Sequence, residues 1–297
     1  MKPNIGLLSL VVAACGAKGP QNQEFNGAAA YEYVAVQTRF GVRVPNTPGH
    51  RNTGNWIEER LRLTADSVEV QSFLHVTAEG DTLELRNFIA RFRPGDPNRI
   101  IFMAHWDTRP TADKSLNIGH QMLPVPGAND GGSGVALLLG VADALDLVPP
   151  GLGVDLVFVD GEDYGDFSQD VDVLIGSRYF AVNLPAGYQP LFGVLFDMIG
   201  DIDLQIYQEG NSVSGAPEVV DRVWRAAADM GYSRTFVPSL RGPIMDDHVP
   251  LLEAGIRMIN VIDIDYSYWH TTEDTIDKVS AESLQIVGDV AMALLRQ

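Results

Sequence analysis

Apolar runs that stop at acidic and imidazole side chains organise the middle of the chain. Residues 100–104 precede His105 and Asp107, and the largely apolar residues 154–159 precede the acidic stretch 160–163. Short apolar runs bounded by Gly and Asp are typical of buried strands in a parallel or mixed sheet. Because open α/β sheets bind ligands at the carboxyl ends of their strands, we expect these polar side chains to meet in one crevice.

The rest of the chain alternates between helical and extended patterns. Apolar residues spaced three and four apart predict helices over residues 25–39, 52–63, 133–147, 176–181, 217–230, 246–254 and 280–295. Runs rich in β-forming residues predict a hairpin over 67–76 and 82–92 and strands over 99–105, 154–159, 192–197, 203–207 and 258–262. Proline-rich residues 41–50 and 108–128 are predicted loops, and one as long as the second is usually functional or mobile.

Strands that alternate with helices predict an α/β protein whose sheet is covered on both faces. The chain shows no internal repeat, low-complexity tract or shift in composition that would divide its main part. We therefore expect one domain over residues 25–297, preceded by a separate segment over residues 1–24.

The first 24 residues resemble an export signal. Lys2 is followed by the short apolar stretch 5–14, and residues 12–15 (Val-Ala-Ala-Cys) resemble the lipobox of bacterial lipoproteins. Cys15 is the single cysteine, so it would become the lipidated first residue, with residues 16–24 as a polar tether. The alternatives are a plain signal peptide with a coincidental cysteine, or a buried first strand. We expect an exported bacterial protein of the periplasm or cell envelope, held at the membrane only through Cys15.

Composition narrows the set of partners. The 297 residues are 45% hydrophobic, enough for a sizeable core, and 21 basic residues against 39 acidic ones give a net charge of −18. A surface with this charge repels phosphate backbones, so nucleic acid is an unsuitable partner.

The acidic and imidazole side chains at the strand ends favour a metal site. Zinc binds His and carboxylate ligands and keeps one position open in catalytic centres. His105, Asp130 and the adjacent pair Glu162 and Asp163 have these chemistries, and two neighbouring carboxylates can divide metal binding and proton transfer between them. Asp107, two residues after His105, lies on the same side of an extended chain and is predicted to orient the imidazole.

A simpler interpretation exists for each residue alone, because a carboxylate after a strand is often a helix cap. Several strand ends with such side chains are less easily explained in this way. Asp197 ends another apolar run, and His270 follows the last predicted strand. We expect His248 to support the structure, and surface or packing roles for His50, His75 and His120.

Seven short motifs together resemble the superfamily of zinc-dependent aminopeptidases and glutaminyl-peptide cyclotransferases, in its bacterial glutaminyl-cyclase-like branch. The resemblance covers residue 25 to the C-terminus and implies a three-layer α/β/α sandwich around a mixed, largely parallel central sheet. The motifs, in chain order, are residues 105–107, 127–130, 160–163, 176–178, 197–200, 246–248 and 269–271.

The resemblance implies a ligand set. Asp130, Asp163 and His270 are similar to the ligands of the principal zinc, although many relatives have glutamate in the place of Asp163. His105 and Asp197 match the ligands of the second zinc in two-zinc aminopeptidases. Glutaminyl cyclases keep the matching residues with one zinc, so the resemblance implies one zinc ion or two.

The resemblance also assigns Glu162 as the general acid/base. In a hydrolase it would take a proton from the water that attacks the N-terminal peptide bond. In a cyclase it would take a proton from the α-amine of an N-terminal glutamine and deliver it to the departing ammonia.

Two residues favour the cyclase. Asp246 resembles a cyclase aspartate that shares a hydrogen-bond network with Asp197 and the catalytic glutamate, and aminopeptidases commonly have serine there. Trp269 resembles the tryptophan that lines the glutamine pocket, although it is equally suited to packing. Two departures count against the cyclase: Asn260 replaces a histidine of animal cyclases, and the loop after Asp163 lacks their tryptophan.

We therefore predict a zinc-dependent glutaminyl-peptide cyclotransferase that acts on peptide or protein N-termini. The first alternative is a zinc aminopeptidase that hydrolyses the N-terminal peptide bond. The second is a metal-binding or peptide-binding lipoprotein without catalytic activity.

Overall fold

The computed structural model of the protein describes residues 25–147 and 149–296. The predicted signal segment, Cys15 and the tether lie outside the described residues. Within the part of the chain that is described, no helix combines the length and the apolar character needed to cross a membrane.

A six-stranded mixed sheet forms the centre of the molecule. Its strands lie in the order β1-β2-β4-β3-β5-β8. Strand β2 is antiparallel to both of its neighbours, β1 and β4, whereas β4, β3, β5 and β8 run parallel to one another. The strand bounds are β1 Ser67–Val76, β2 Thr82–Phe92, β3 Arg99–His105, β4 Gly153–Val159, β5 Gly193–Asp197 and β8 Met258–Ile262.

Helices cover both faces of this sheet. Their bounds are α1 Gly27–Arg39, α2 Pro48–Thr64, α3 Gly132–Leu147, α4 Ile175–Val182, α5 Gly210–Gly215, α6 Pro217–Asp229, α7 His248–Glu253 and α8 Ala281–Leu294. One core contains apolar residues of α1, α2, α3, α6 and α8, and the other contains residues of α4 and α7. Alternate residues of β3 enter these two cores, Phe102 the first and Met103 the second, as strand geometry requires.

The parallel register places several strand ends side by side. His105 is the partner of Val159 across β3 and β4, and Asp197 is the partner of Ile262 across β5 and β8. Polar residues that follow these four strands therefore project at one edge of the sheet, as the sequence predicts.

The predicted fold class is confirmed, as a mixed α/β protein with a largely parallel central sheet between helical layers. The hairpin is also confirmed, because β1 and β2 pair antiparallel along their full length. Ser280 caps α8 as predicted, since its side chain accepts hydrogen bonds from Glu282 N and Ser283 N.

Two local predictions are wrong, and two short elements were not predicted. Helix α2 begins at Pro48, inside the predicted loop 41–50. The Thr47 side chain caps this helix, and proline is tolerated in the first turn because a backbone N–H there has no acceptor within the helix. The predicted strand 203–207 is reduced to β6 (Ile206–Gln208), which pairs with β7 (Phe236–Leu240) in a separate two-stranded sheet. Strand β7 and the six-residue α5 were not predicted, since both are too short to show a period.

Candidate metal centre

Two groups of buried side chains lie at the carboxyl edge of the sheet, each suited to hold a metal ion. The first group is His105, Asp130 and Asp197, and the second is Asp130, Asp163 and His270. Within each group the potential ligand atoms lie within 4.8 Å of one another. The structure thus brings together all five predicted ligands, and Asp130 belongs to both groups.

The histidines face the carboxylates through Nε2. His105 Nε2 is 3.1 Å from Asp130 Oδ1 and 3.2 Å from Asp197 Oδ1. His270 Nε2 is 3.3 Å from Asp163 Oδ1 and 3.9 Å from Asp130 Oδ2. Burial alone would lower the His270 pKa, but the surrounding carboxylates, Asp163 foremost, raise it to about 9.

The residues fit a bound cation. Asp130 Oδ2 and Asp163 Oδ2 are buried and have no hydrogen-bond donor among the described residues. A buried carboxylate oxygen without a donor or a positive charge is costly, so a cation between these groups would satisfy both. Imidazole nitrogen with carboxylate oxygen is a donor set that suits zinc.

Backbone contacts fix the segment that carries Asp130. The buried guanidinium of Arg43 donates hydrogen bonds to the carbonyl oxygens of Gly127 at 2.6 Å and Asp130 at 3.2 Å. The Asp274 carboxylate accepts Asn129 N at 2.9 Å and Asp130 N at 3.1 Å. Gly131 follows with φ of 72°, and a Cβ there would lie 2.7 Å from Asp107 O, so only glycine fits.

Asp107 supports the acidic pair as well as facing His105. Its two carboxylate oxygens accept hydrogen bonds from Glu162 N at 3.0 Å and Asp163 N at 3.2 Å. The distance from Asp107 Oδ1 to His105 Nδ1 is 3.6 Å, longer than a hydrogen bond. The contact predicted from the spacing exists, but the stronger connection of Asp107 is to the backbone of the neighbouring acidic residues.

Glu162 belongs to neither metal group and opens onto a pocket. Its side chain is buried, and its Oε2 lies 3.8 Å from His105 Nδ1. Burial raises the pKa of the Glu162 carboxyl well above its usual range, the charges of Asp163, Asp246 and Asp247 raise it further, and His105 opposes the change.

The pocket beside these carboxylates has a volume of about 280 Å³. Its floor carries Asp130, Glu162, Asp197, Asp246 and His270, and its walls are largely apolar. Trp269 is 40% exposed, so it forms part of the entrance. The wall residues are Phe167, Met198, Ile244, Met245, Ile262, Ile264 and Trp269.

Asp246 is buried and lines this pocket. Its Oδ2 accepts a hydrogen bond from Asn260 Nδ2 at 2.5 Å, and its Oδ1 accepts one from Asp247 N at 2.6 Å. Burial raises the pKa of the Asp246 carboxyl well above its usual range, with further contributions from Asp197 and Asp247. Asn260, a departure from the animal cyclases, thus supplies a hydrogen-bond donor to Asp246.

The remaining histidines lie outside both metal groups. His50 is buried, stacks on Trp106 at a ring distance of 4.3 Å and contacts Asp160 at 2.9 Å. His248 is buried against Glu209 at 3.1 Å. These two are packing residues.

Sequence analysis missed several residues that contact the centre. Arg109 and Asp113 lie in the predicted loop 108–128 and contact Asp163 and His270. Their spacing of four residues, shortly after Asp107, is a weak signal that becomes meaningful only when the ligands are known. Asp274, which accepts two backbone N–H groups beside Asp130, has no signal beyond its closeness to His270.

Comparisons with known proteins agree with this architecture. A model of peptidase family M28 matches residues 87–295. The glutaminyl-peptide cyclotransferase-like protein of Bos taurus is 26% identical in an alignment of 265 positions, which covers 79% of this chain and 66%, just under two thirds, of the cattle protein. Aminopeptidase YwaD of Bacillus subtilis is 30% identical in an alignment of 209 positions, which covers 66% of this chain and 40% of that protein.

Solved structures give a closer match. A Zn-dependent exopeptidase from Parabacteroides distasonis has a TM-score of 0.89 and 34% identity, covering 92% of this chain and 99% of the other. The glutaminyl cyclase of Bacteroides thetaiotaomicron, solved with N-acetylhistamine, has a TM-score of 0.88 and 35% identity, covering 92% and 98%. Relatives with two different activities therefore share this fold.

Proposed function

The chain belongs to peptidase family M28, and from this premise we propose that it is a zinc-dependent glutaminyl-peptide cyclotransferase. It converts the N-terminal glutamine of a peptide to pyroglutamate and releases ammonia. The family includes enzymes of this kind and aminopeptidases, so the choice between them depends on the pocket beside the metal centre.

The observation that carries the proposal is the pair of buried carboxyl groups, Glu162 and Asp246, in an apolar pocket. Cyclisation needs the substrate's own amine, rather than water, to attack the γ-carboxamide. Apolar walls keep water away from that carbon, whereas a hydrolase must admit a water molecule. A volume of about 280 Å³ is adequate for one side chain with its α-amine.

Glu162 is the proton carrier in this proposal. As the neutral α-amine attacks the γ-carbonyl carbon, a new C–N bond forms and Glu162 accepts the proton that the amine loses. Glu162 then returns this proton to the amide nitrogen, the original C–N bond breaks, and ammonia leaves. Asp246, held by Asn260 and the Asp247 backbone, is placed at the same pocket to hydrogen bond with the nitrogen groups.

Asp130, Asp163 and His270 would hold the zinc ion. When bound, zinc acts as a Lewis acid that polarises the γ-carbonyl oxygen. Trp269 provides an aromatic face at the pocket entrance, where the first residue of the peptide enters.

The zinc aminopeptidase is the second candidate. The observation that favours it is the complete group of His105, Asp130 and Asp197, which offers ligands for a second ion. Two ions would suit activation of water for hydrolysis of the N-terminal peptide bond. A non-catalytic metal-binding or peptide-binding lipoprotein is the third candidate.

Two peptides distinguish these candidates. The zinc-loaded protein is incubated with a Gln-initiated peptide and with a Leu-initiated peptide of otherwise identical sequence, and the products are identified by mass spectrometry. The cyclase proposal expects loss of one ammonia from the first peptide only. Removal of the terminal residue from either peptide would instead establish the aminopeptidase, and no change in either would favour a binding protein.

Glu162→Gln tests the proton carrier. The glutamine side chain has nearly the same shape but cannot accept the proton, so we expect kcat to fall about a hundredfold to ten-thousandfold. Zinc content, measured by atomic absorption, should equal that of the wild type because Glu162 is not in either ligand group. Normal turnover by this variant would contradict the assignment.

A further inference from the structure

Four side chains form a closed ring on one side of the principal metal group. Arg109 Nε is 2.6 Å from Asp113 Oδ1, and Arg109 Nη1 is 2.8 Å from Asp163 Oδ1. The same Asp113 oxygen is 3.3 Å from His270 Nδ1, and the same Asp163 oxygen is 3.3 Å from His270 Nε2. Arg109 and Asp113 belong to neither metal group, yet Arg109 contacts Asp163 and Asp113 contacts His270, both of which belong to the second group.

From this ring we propose that Arg109 and Asp113 are positioning residues, which hold Asp163 and His270 in the orientation that binds the metal. The inference rests on the proposed metal site. It assigns a purpose to the long loop 108–128, from which both residues come.

The contact with Arg109 decides which oxygen of Asp163 is available. Oδ1 accepts the hydrogen bond from the guanidinium, and the buried Oδ2 has no donor among the described residues. Arg109 also donates to the main-chain oxygen of Asp163 at 3.3 Å. A short aspartate side chain held at both its carboxylate and its main chain presents Oδ2 to the metal in a fixed direction.

Asp113 lies where it favours one tautomer of His270, because its Oδ1 is 3.3 Å from Nδ1, an ion-pair contact without the alignment of a hydrogen bond. A carboxylate beside Nδ1 favours the imidazole that carries its proton there, which leaves the lone pair of Nε2 for the metal. His270 has φ of 54°, and its carbonyl oxygen accepts Lys114 N at 3.2 Å. The loop therefore holds both the ring and the main chain of His270.

The ring orients the ligands without changing the charge of the centre, because the positive charge of Arg109 offsets the negative charge of Asp113. A positioning role and a purely electrostatic role of Arg109 therefore predict opposite changes in zinc affinity when Arg109 is replaced. If Arg109 acted only through its charge, its removal would make the centre more negative and zinc would bind more tightly. If Arg109 positions Asp163, zinc binds more weakly after its removal, and also after replacement by lysine, which keeps the charge but lacks the two-pronged geometry.

The test is the zinc dissociation constant, measured by competition with a chromogenic chelator, for the wild type, Arg109→Lys, Arg109→Gln and Asp113→Asn. We expect each variant to bind zinc about 10-fold to 100-fold more weakly. Asp113→Glu should recover part of the loss. Arg178→Lys, Arg178→Gln and Asp170→Asn are matched controls, since this exposed ion pair lies away from both metal groups; they should bind zinc as the wild type does.

Thermal unfolding of each metal-free variant is monitored by circular dichroism. It shows whether the variant is folded at the temperature at which zinc affinity is measured. Dissociation constants within twofold of wild type for Arg109→Lys and Asp113→Asn would overturn the inference, as would tighter binding by Arg109→Gln. A loss of affinity fully matched by a loss of metal-free stability would overturn it too. If the wild type bound no zinc, the proposed zinc-dependent function would be wrong, and this result is distinct from a variant that binds zinc as the wild type does.

Discussion

Glu209 is a fully buried carboxylate that connects the pocket to the rest of the molecule. It accepts five hydrogen bonds, whose donors are Asn211 N, Ser212 N, Ser212 Oγ, Ile244 N and His248 Nε2. Ile244 lines the pocket, and His248 follows Asp246 and Asp247. Despite burial, the hydrogen bond from His248 and those from the backbone lower the Glu209 pKa to about 2.

This pKa predicts how stability depends on pH. A carboxylate whose pKa falls from 4.5 in the unfolded chain to about 2 in the folded one stabilises the fold above about pH 4.5, and this stabilisation is lost as pH falls towards 2. The difference corresponds to about 3 kcal/mol. We expect Glu209→Gln to lower the free energy of unfolding by at least about this amount at pH 7, and by progressively less between pH 4.5 and 2.

Urea unfolding of the wild type and Glu209→Gln at several pH values measures this difference. Glu253→Gln, at an exposed position in α7, is the matched control and should leave stability unchanged at each pH. A difference between wild type and Glu209→Gln that is the same at pH 3 and pH 7 would contradict the electrostatic origin.

At the scale of single residues, the sequence predicted the groups that follow strands and missed those that act through tertiary contacts. His105 and Asp197 end apolar runs, so their convergence follows from the sheet, whereas Asp130 was predicted from its place among small residues at the start of a helix. Glu209 and Asp113 lie in segments without such runs, and only the folded chain shows what they contact. The two backbone hydrogen bonds that Asp107 accepts, from Glu162 N and Asp163 N, likewise could not be predicted from its spacing from His105.

The next scale is the contact between α3 and β5, which sets the spacing of the metal ligands. Asp130 lies just before α3, and Asp197 ends β5. Gly134 lies where the two elements meet, and a Cβ there would be 2.3 Å from the carbonyl oxygen of Phe196. A backbone atom cannot rotate away, so the helix can lie this close only because residue 134 is glycine.

Gly134→Ala should therefore push α3 away from β5. We expect a loss of about 1–3 kcal/mol in the free energy of unfolding, as for other overpacked cores, together with weaker zinc binding because Asp130 and Asp197 move apart. Urea unfolding and chelator competition measure the two effects. Gly151→Ala, where the added methyl meets nothing within 4 Å, is the control. Unchanged stability and zinc affinity in Gly134→Ala would contradict this prediction, because they would show that α3 and β5 accommodate the added methyl group without moving the ligands apart.

Elements were predictable in proportion to their length and burial. Strands β3 and β4 are buried at every residue, and α3 is apolar enough to be unmistakable. The start of α2 was not predicted because Pro45 and Pro48 lie there, and prolines usually mark loops. Strand β7 is mostly exposed and contains Pro238, so neither composition nor period identifies it.

For the whole molecule, we propose that the protein is exported and anchored to a bacterial membrane through Cys15. In a bacterial host that processes lipoproteins, we expect the wild type to sediment with the membranes, and Cys15→Ala to be recovered in the soluble fraction. Fractionation followed by immunoblotting measures this distribution. A wild type found entirely in the soluble fraction would rule out the anchor, and a variant that remains with the membranes would point to another means of attachment.

The five candidate ligands come from separate segments along the chain, at the ends of β3, β4 and β5, before α3 and after β8. Each becomes a neighbour of the others only when distant strands have paired, which is a late and slow event in folding. Before these strands pair, the five ligands are too far apart to bind an ion together, so we do not expect the ion to speed up folding. If the ligands come together only after the folding transition state, we expect a bound ion to slow unfolding and leave the folding rate unchanged, which would lengthen the lifetime of the native protein.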